Sequence, residues 1–305
     1  APRRGAPGRD ALGGAVPLPS LLSHSTVEAL ARKIAEGGGS GPEFGTLLPI
    51  RAEGDLPPVF CVHPIIGLSW CYTALAQEID PSVPLYGVQT PLEDLPNSLD
   101  DLAALYVDEI RRIQPEGPYR LLGWSLGGVI AHAMAVHLQA AGSVVETLVM
   151  LDSFADTDTD APEEPEVPMS DVLAGFGVVE DGDGDEPADL AGIVRVVADL
   201  TGTTAEDTER LVRQLMDAAR HNVVLAAGHR PARFDGDIVY FTAAEDESHG
   251  AAGWADAVSG RIHDHSVPVT HWRMTSTEAL AVLGPRLRTV FATPSDPNRQ
   301  GEQAR

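Results

Sequence analysis

The chain has 305 residues, with 45 Asp and Glu against 21 Lys and Arg and a formal net charge of −24. That balance excludes general nucleic-acid binding, which needs cations to displace the counterions of phosphates, and the length suits one large α/β domain with a small appendage or two modest domains. No run of 18 apolar residues is present, which excludes a membrane-spanning helix, while two cysteines, Cys61 and Cys71, lie in apolar patterns without metal-ligand spacing and fit a reduced, cytoplasmic protein with buried thiols.

The first residues, Ala1-Pro2-Arg3-Arg4-Gly5, carry neither an initiator methionine nor an apolar signal region, so the chain reads as a soluble piece of something longer. Ala1 to about Gly13 is ragged. Pro17 to Glu36 holds a short helix with Val27, Leu30, Ala31 and Ile34 on one face, behind Ser25 as N-cap. Gly37-Gly38-Gly39-Ser40-Gly41-Pro42 then forms a flexible linker, placed over 37–46.

From Leu47 the pattern alternates. Val59 to Val62 reads as a strand, Trp70 to Ile79 as a helix, Leu85 to Val88 as a strand and Leu99 to Ile113 as a helix. Tyr119 to Leu122 leads into Gly123-Trp124-Ser125-Leu126-Gly127-Gly128, after which Val129 to Ala141 reads as a helix and Thr147 to Leu151 as a strand ending in Asp152. Such alternation predicts an α/β fold with a mainly parallel sheet and helices on both faces. Residues 153 to about 228 carry helix patterns, Leu190 to Leu200 and Ala205 to Ala227, but no convincing strand, and read as a helical insertion. Asp156 to Asp189 contains no Lys or Arg and four prolines, and its run Glu180-Asp181-Gly182-Asp183-Gly184-Asp185-Glu186 lacks the ligand order of a calcium loop, so it reads as a solvated acidic segment. Strand signals resume at Asp237 to Thr242 and Ile262 to Val269, Thr275 to Phe291 closes the fold as a helix, and 293–305 reads as a frayed tail.

An apolar strand, a glycine-flanked serine and a helix together predict a nucleophile elbow, with the Ser125 hydroxyl held out at a sharp turn. Serine at neutral pH is a poor nucleophile and needs a base and a group to orient that base. His263, His265 and His271 bracket the last strand. Open α/β sheets build their sites beyond the carboxyl ends of strands, which favours His271. For the acid, Asp152 after Leu148-Val149-Met150-Leu151 and Asp246 after Ile238-Val239-Tyr240-Phe241 are equivalent on topology alone. An oxyanion needs two backbone donors. Leu126 supplies one, and the loop Cys61-Val62-His63-Pro64-Ile65-Ile66-Gly67 points to Ile65 for the other, because Pro64 has no N–H. A structural role is assigned to His63.

These residues resemble the terminal thioesterase domain of nonribosomal peptide synthetases, an α/β-hydrolase, over most of Leu47 to about Ala292. The resemblance rests on Leu48-Pro49-Ile50-Arg51, Val59-Phe60-Cys61-Val62-His63-Pro64, Leu85-Tyr86-Gly87-Val88-Gln89 and Gly117-Pro118-Tyr119-Arg120-Leu121-Leu122 with the elbow. It implies the acid in Leu151-Asp152-Ser153, which resolves the tie for Asp152, the base in Val269-Thr270-His271, and a helical lid at about 153–228. Residues 1–36 resemble the end of a peptidyl carrier domain. Leu12-Gly13-Gly14 is followed by Ala15 where a phosphopantetheine site has serine, which implies a prosthetic-group serine upstream of Ala1.

The resemblance further implies that the domain binds no cofactor or metal of its own. Its partner is the carrier domain of the same synthetase, which delivers a peptidyl thioester on phosphopantetheine to Ser125 for release by water or by a nucleophile of the chain itself. Ile65-Ile66 is bulkier than the small residues common after this His-Pro and is expected to narrow the acyl channel. The rival readings are a free-standing proofreading thioesterase, which the carrier-like segment opposes, a lipase or esterase, and a catalytically inactive docking module.

Overall fold

The computed structural model describes residues 45–91, 94–155, 167, 172, 190–201, 204–246 and 250–292. The carrier-like segment 1–36, nearly all of the linker, the acidic run from Glu180 to Glu186 and the tail 293–305 lie outside the described residues. Among those described, the alternating pattern resolves in chain order into β1 (Leu47–Arg51), β2 (Val59–Val62), a 3₁₀ helix at Trp70–Gln77, β3 (Leu85–Val88), α1 (Leu99–Ile113), β4 (Tyr119–Trp124), α2 (Leu126–Ala140) and β5 (Val145–Leu151). After the insertion helices α3 (Leu190–Thr201) and α4 (Ala205–Ala227) come β6 (Ile238–Ala243), a 3₁₀ segment at Gly250–Ala257, β7 (Ile262–Val267), a 3₁₀ turn at His271–Arg273 and α5 (Thr277–Phe291).

The strands form one sheet in the order β1-β3-β2-β4-β5-β6-β7. Only β1 runs antiparallel, against β3. Strands β2 and β4 are buried along their whole length, as central strands covered on both faces must be. β1 lies at the edge, where Pro49 interrupts no interior ladder.

Helix α1 forms because Leu99, Leu102, Ala103, Tyr106, Val107 and Ile110 make one apolar stripe, and because Ser98 accepts a hydrogen bond from the Asp101 N–H at 3.0 Å. It packs with the almost wholly buried α2 on one face of the sheet. The opposite face is covered by the 3₁₀ helix at Trp70–Gln77, by α5 and by the insertion helices, through residues such as Tyr72, Leu75, Leu211, Leu215, Leu283 and Phe291. The expected helix at Trp70 to Ile79 is thus a shorter 3₁₀ helix ending at Gln77, and β7 stops at Val267 before the chain turns towards His271. Cys61 and Cys71 are buried free thiols, with both acidities suppressed by burial.

Candidate active site

β4 delivers Ser125 to a turn that an ordinary residue resists. Its φ and ψ are 56° and −128°, far from the usual basins of an L-residue. The turn is held from both sides: the Ser125 N–H donates to the Leu151 carbonyl at 2.9 Å, and the Gly128 N–H donates to the Ser125 carbonyl at 3.0 Å. Glycine is required at two neighbouring points. A Cβ on Gly123 would lie 2.1 Å from the Gly127 carbonyl oxygen, and one on Gly127 would lie 2.3 Å from the Val62 carbonyl oxygen and 2.7 Å from that of His63. The start of α2 is therefore pressed against the end of β2, bringing the elbow beside the loop that follows β2.

Asp152 follows β5 directly and is fully buried. Its φ of 42° is of the kind that aspartate tolerates better than bulkier residues. The end of β6 grips it twice: its N–H donates to the Phe241 carbonyl at 2.8 Å, and its Oδ1 accepts from the Ala243 N–H at 3.0 Å. Its other oxygen, Oδ2, stands 2.7 Å from His271 Nδ1. Because the carboxylate can only accept, the Nδ1 proton belongs to the histidine. That leaves Nε2 as an acceptor, and Ser125 Oγ donates to it at 3.0 Å.

Asp246, the other candidate acid, takes a different position. It is exposed, and its carboxylate accepts the backbone N–H of His271 rather than an imidazole proton. It fixes the peptide that carries the histidine, while Asp152 contacts the ring. His263 sits on the exposed edge strand with Nε2 3.4 Å from Asp237, and His265 lies beside the Phe241 ring, so neither joins Ser125. Trp124, Phe154 and Trp272 surround the His271 ring, with centroids at 5.6, 5.4 and 4.7 Å. Trp272 is 40% exposed and forms the open side of this aromatic box.

The second loop of the site turns at Pro64–Gly67, where the Gly67 N–H donates to the Pro64 carbonyl at 3.0 Å. Among the described residues, no acceptor stands against the N–H of Ile65 or of Leu126. Ile66 is fully buried in the core, so only Ile65 of the bulky pair is partly exposed.

Two residues that carry no motif hold this arrangement. The Tyr72 hydroxyl donates to the Val62 carbonyl at 2.7 Å and accepts the Trp124 N–H at 2.8 Å, bridging β2 and β4 where they part to form the two loops. Asn222 of α4 donates from Nδ2 to the Ile65 carbonyl at 3.0 Å, and the adjacent His221 Nε2 donates to the Pro96 carbonyl at 2.6 Å. Tyr72 lies in an apolar run and Asn222 in an ordinary amphipathic helix, so the sequence carried no signal for either. Phe154 and Trp272 could have been suspected, being two residues beyond Asp152 and one beyond His271.

Ser125 after β4, Asp152 after β5 and His271 beyond β7 are joined by hydrogen bonds at the carboxyl end of the sheet, and the class is that of a hydrolase built on an α/β sheet. Residues 57–285 match the family model described as Thioesterase domain, and the chain belongs to that family. It is 35% identical over 292 residues to the dimodular nonribosomal peptide synthase of Bacillus subtilis (strain 168), covering 90% of this chain and 12% of that one. It is 34% identical over 286 residues to malpibaldin synthetase of Mortierella alpina, covering 90% and 5%. The chain therefore spans only a small part of the curated relatives it matches. Among solved structures, the NocB thioesterase domain in covalent complex with a fluorophosphonate nocardicin G analog superposes with a TM-score of 0.57 at 24% identity, over 81% of this chain and 99% of that one. The fold is that of the α/β-hydrolases. No helix among the described residues is long and apolar enough to cross a membrane.

Proposed function

We propose that the domain is the releasing thioesterase of a nonribosomal peptide synthetase, taking a peptidyl chain from carrier-bound phosphopantetheine onto Ser125 and then freeing it. The observation that carries this reading is the unbroken hydrogen-bond chain from Ser125 Oγ through His271 to Asp152, at 3.0 and 2.7 Å, with no acceptor among the described residues against the N–H of Leu126 or of Ile65. Ser125 Oγ attacks the thioester carbonyl as His271 Nε2 takes its proton, and the buried Asp152 carboxylate stabilises the imidazolium and keeps its orientation. The N–H groups of Leu126 and Ile65 receive the oxyanion of the tetrahedral intermediate. Collapse breaks the C–S bond, the phosphopantetheine sulfur leaves with the proton from His271, and the peptide remains as an ester on Ser125. His271 then deprotonates water, giving a linear acid, or an amine or hydroxyl of the peptide itself, giving a macrocycle. The partner is the carrier domain that presents the thioester.

A serine-directed fluorophosphonate tests the first step, and that a thioesterase domain of this fold has been captured with such a group recommends the reagent. We expect one adduct, on Ser125, abolished in Ser125→Ala; an unlabelled Ser125 in folded protein defeats the reading. Mass measurement of the product from a carrier-bound peptide then separates water-added acid from cyclic product.

A further inference from the structure

The Pro64–Ile65 peptide is held by more than its turn. Its carbonyl accepts two hydrogen bonds, from the Gly67 N–H at 3.0 Å and from His63 Nδ1 at 2.7 Å. A carbonyl cannot donate, so Nδ1 carries a proton. Burial lowers the His63 pKa to about 4, which keeps the ring neutral and makes Nε2 an acceptor. The Tyr106 hydroxyl, itself fully buried on α1, donates to that Nε2 at 2.6 Å. The tautomer is thus fixed at both ends, and the two rings meet edge to face at 5.6 Å.

In a trans peptide the C=O and N–H point in opposite directions. Drawing the Pro64 carbonyl towards the buried His63 turns the Ile65 N–H the other way, and no acceptor among the described residues takes it. The same stretch of backbone lies against the elbow, through the close approach of Gly127 to the Val62 and His63 carbonyls. We propose that His63, braced by Tyr106, is a positioning residue that orients the Pro64–Ile65 peptide so that its N–H receives the oxyanion formed at Ser125. This rests on the acyl transfer proposed above. His63 touches no reacting atom and acts through the peptide it holds.

Asparagine and glutamine separate the two ends of the ring, because the Asn amide falls near the position of Nδ1 and the Gln amide near that of Nε2. Steady-state kinetics on a peptidyl N-acetylcysteamine thioester are to be measured for the full chain and for His63→Asn, His63→Gln and Tyr106→Phe. Loss of a whole oxyanion donor costs about 10²- to 10³-fold in kcat, and misorientation of one is expected to cost His63→Gln about 10- to 100-fold, with KM within threefold. His63→Asn keeps the donor to the Pro64 carbonyl but, like Tyr106→Phe, loses the bond at Nε2, so both should lose about three- to tenfold in kcat at unchanged KM. Should His63→Gln not fold, undiminished kcat in both His63→Asn and Tyr106→Phe still overturns the proposal. Equal losses in His63→Asn and His63→Gln, or undiminished kcat in His63→Gln and Tyr106→Phe, overturn the proposal while fluorophosphonate labelling of wild-type Ser125 leaves the acyl-transfer reading standing. Absence of that labelling overturns both.

Discussion

Asp152 and Asp246 follow adjacent strands and differ in what they hold. The buried carboxylate meets the imidazole at 2.7 Å, and the exposed one meets the histidine's own peptide nitrogen. Asp152→Asn should lower single-turnover acylation of Ser125 by about 10³- to 10⁴-fold, since an amide at that position favours the wrong tautomer. Asp246→Asn retains an acceptor for the backbone N–H and should cost less than about tenfold; stopped-flow acylation compares the two, and a larger loss in Asp246→Asn would reverse their assignment. Ser125 and His271 were legible because a turn motif and a strand end are local features. The choice between the aspartates was not, because topology makes them equivalent and only the family resemblance or the coordinates separate them. Tyr72 was hidden for a related reason: a tyrosine among apolar residues reads as core, and its hydroxyl acquires two partners only when β2 and β4 diverge around it.

A side-chain hydrogen bond from Asn222 fastens helix α4 to the loop after β2. Gly67 bonds back to Pro64, so the Ile65–Ile66 peptide is the middle unit of a four-residue turn, the one whose flip interconverts the common turn types. Asn222 holds the carbonyl of that peptide. Asn222→Ala should therefore raise amide exchange at residues 65–67 and in the second half of α4 while leaving β4 and β5 protected, with about 1–2 kcal/mol lost in urea unfolding. Unaltered exchange in the loop would show that the turn holds itself. At this scale the sequence served best for long amphipathic segments: α1 and α4 have the bounds that periodicity predicts. It served worst where three or four residues decide. β1 holds only five residues, including Pro49, and its antiparallel pairing comes from the neighbour it finds, which no local pattern encodes. The helix expected over Trp70 to Ile79 tightened to 3₁₀ because Tyr72 and Leu75 must both reach the sheet.

Among the described residues, burial keeps the imidazoles of His63, in the loop after β2, and of His132, on α2, neutral. His132 lies against the Ala257 carbonyl at 3.0 Å and the rings of Phe234 and Trp254, and burial holds its pKa, like that of His63, at about 4. Once unfolded, each regains an ordinary pKa of 6.5, so between pH 6.5 and 4 the unfolded chain carries the extra protons. Stability is then whole above about pH 6.5 and falls as the pH drops towards 4, by about 1.4 kcal/mol per pH unit for each histidine. Urea midpoints across that range should follow this slope, and His132→Gln should flatten it; a flat wild-type profile would mean that neither ring is kept neutral by the fold. The sheet carries a different consequence. β5 and β6, which residues 152–237 separate along the chain, are immediate neighbours paired Val149 to Val239, Met150 to Tyr240 and Leu151 to Phe241. The ladder that seats Asp152 thus takes its rungs from β5 and β6 themselves and none from the insertion helices α3 and α4 between them. Natural selection, or an engineer, can rewrite the interior of that interval like an interchangeable cassette as long as Asp152, Ser153 and Phe154 at its start and Phe234 at its end stay in place, and a transplanted cassette must reproduce the apolar face of α4, with Leu211 and Leu215, as well as its pins His221 and Asn222.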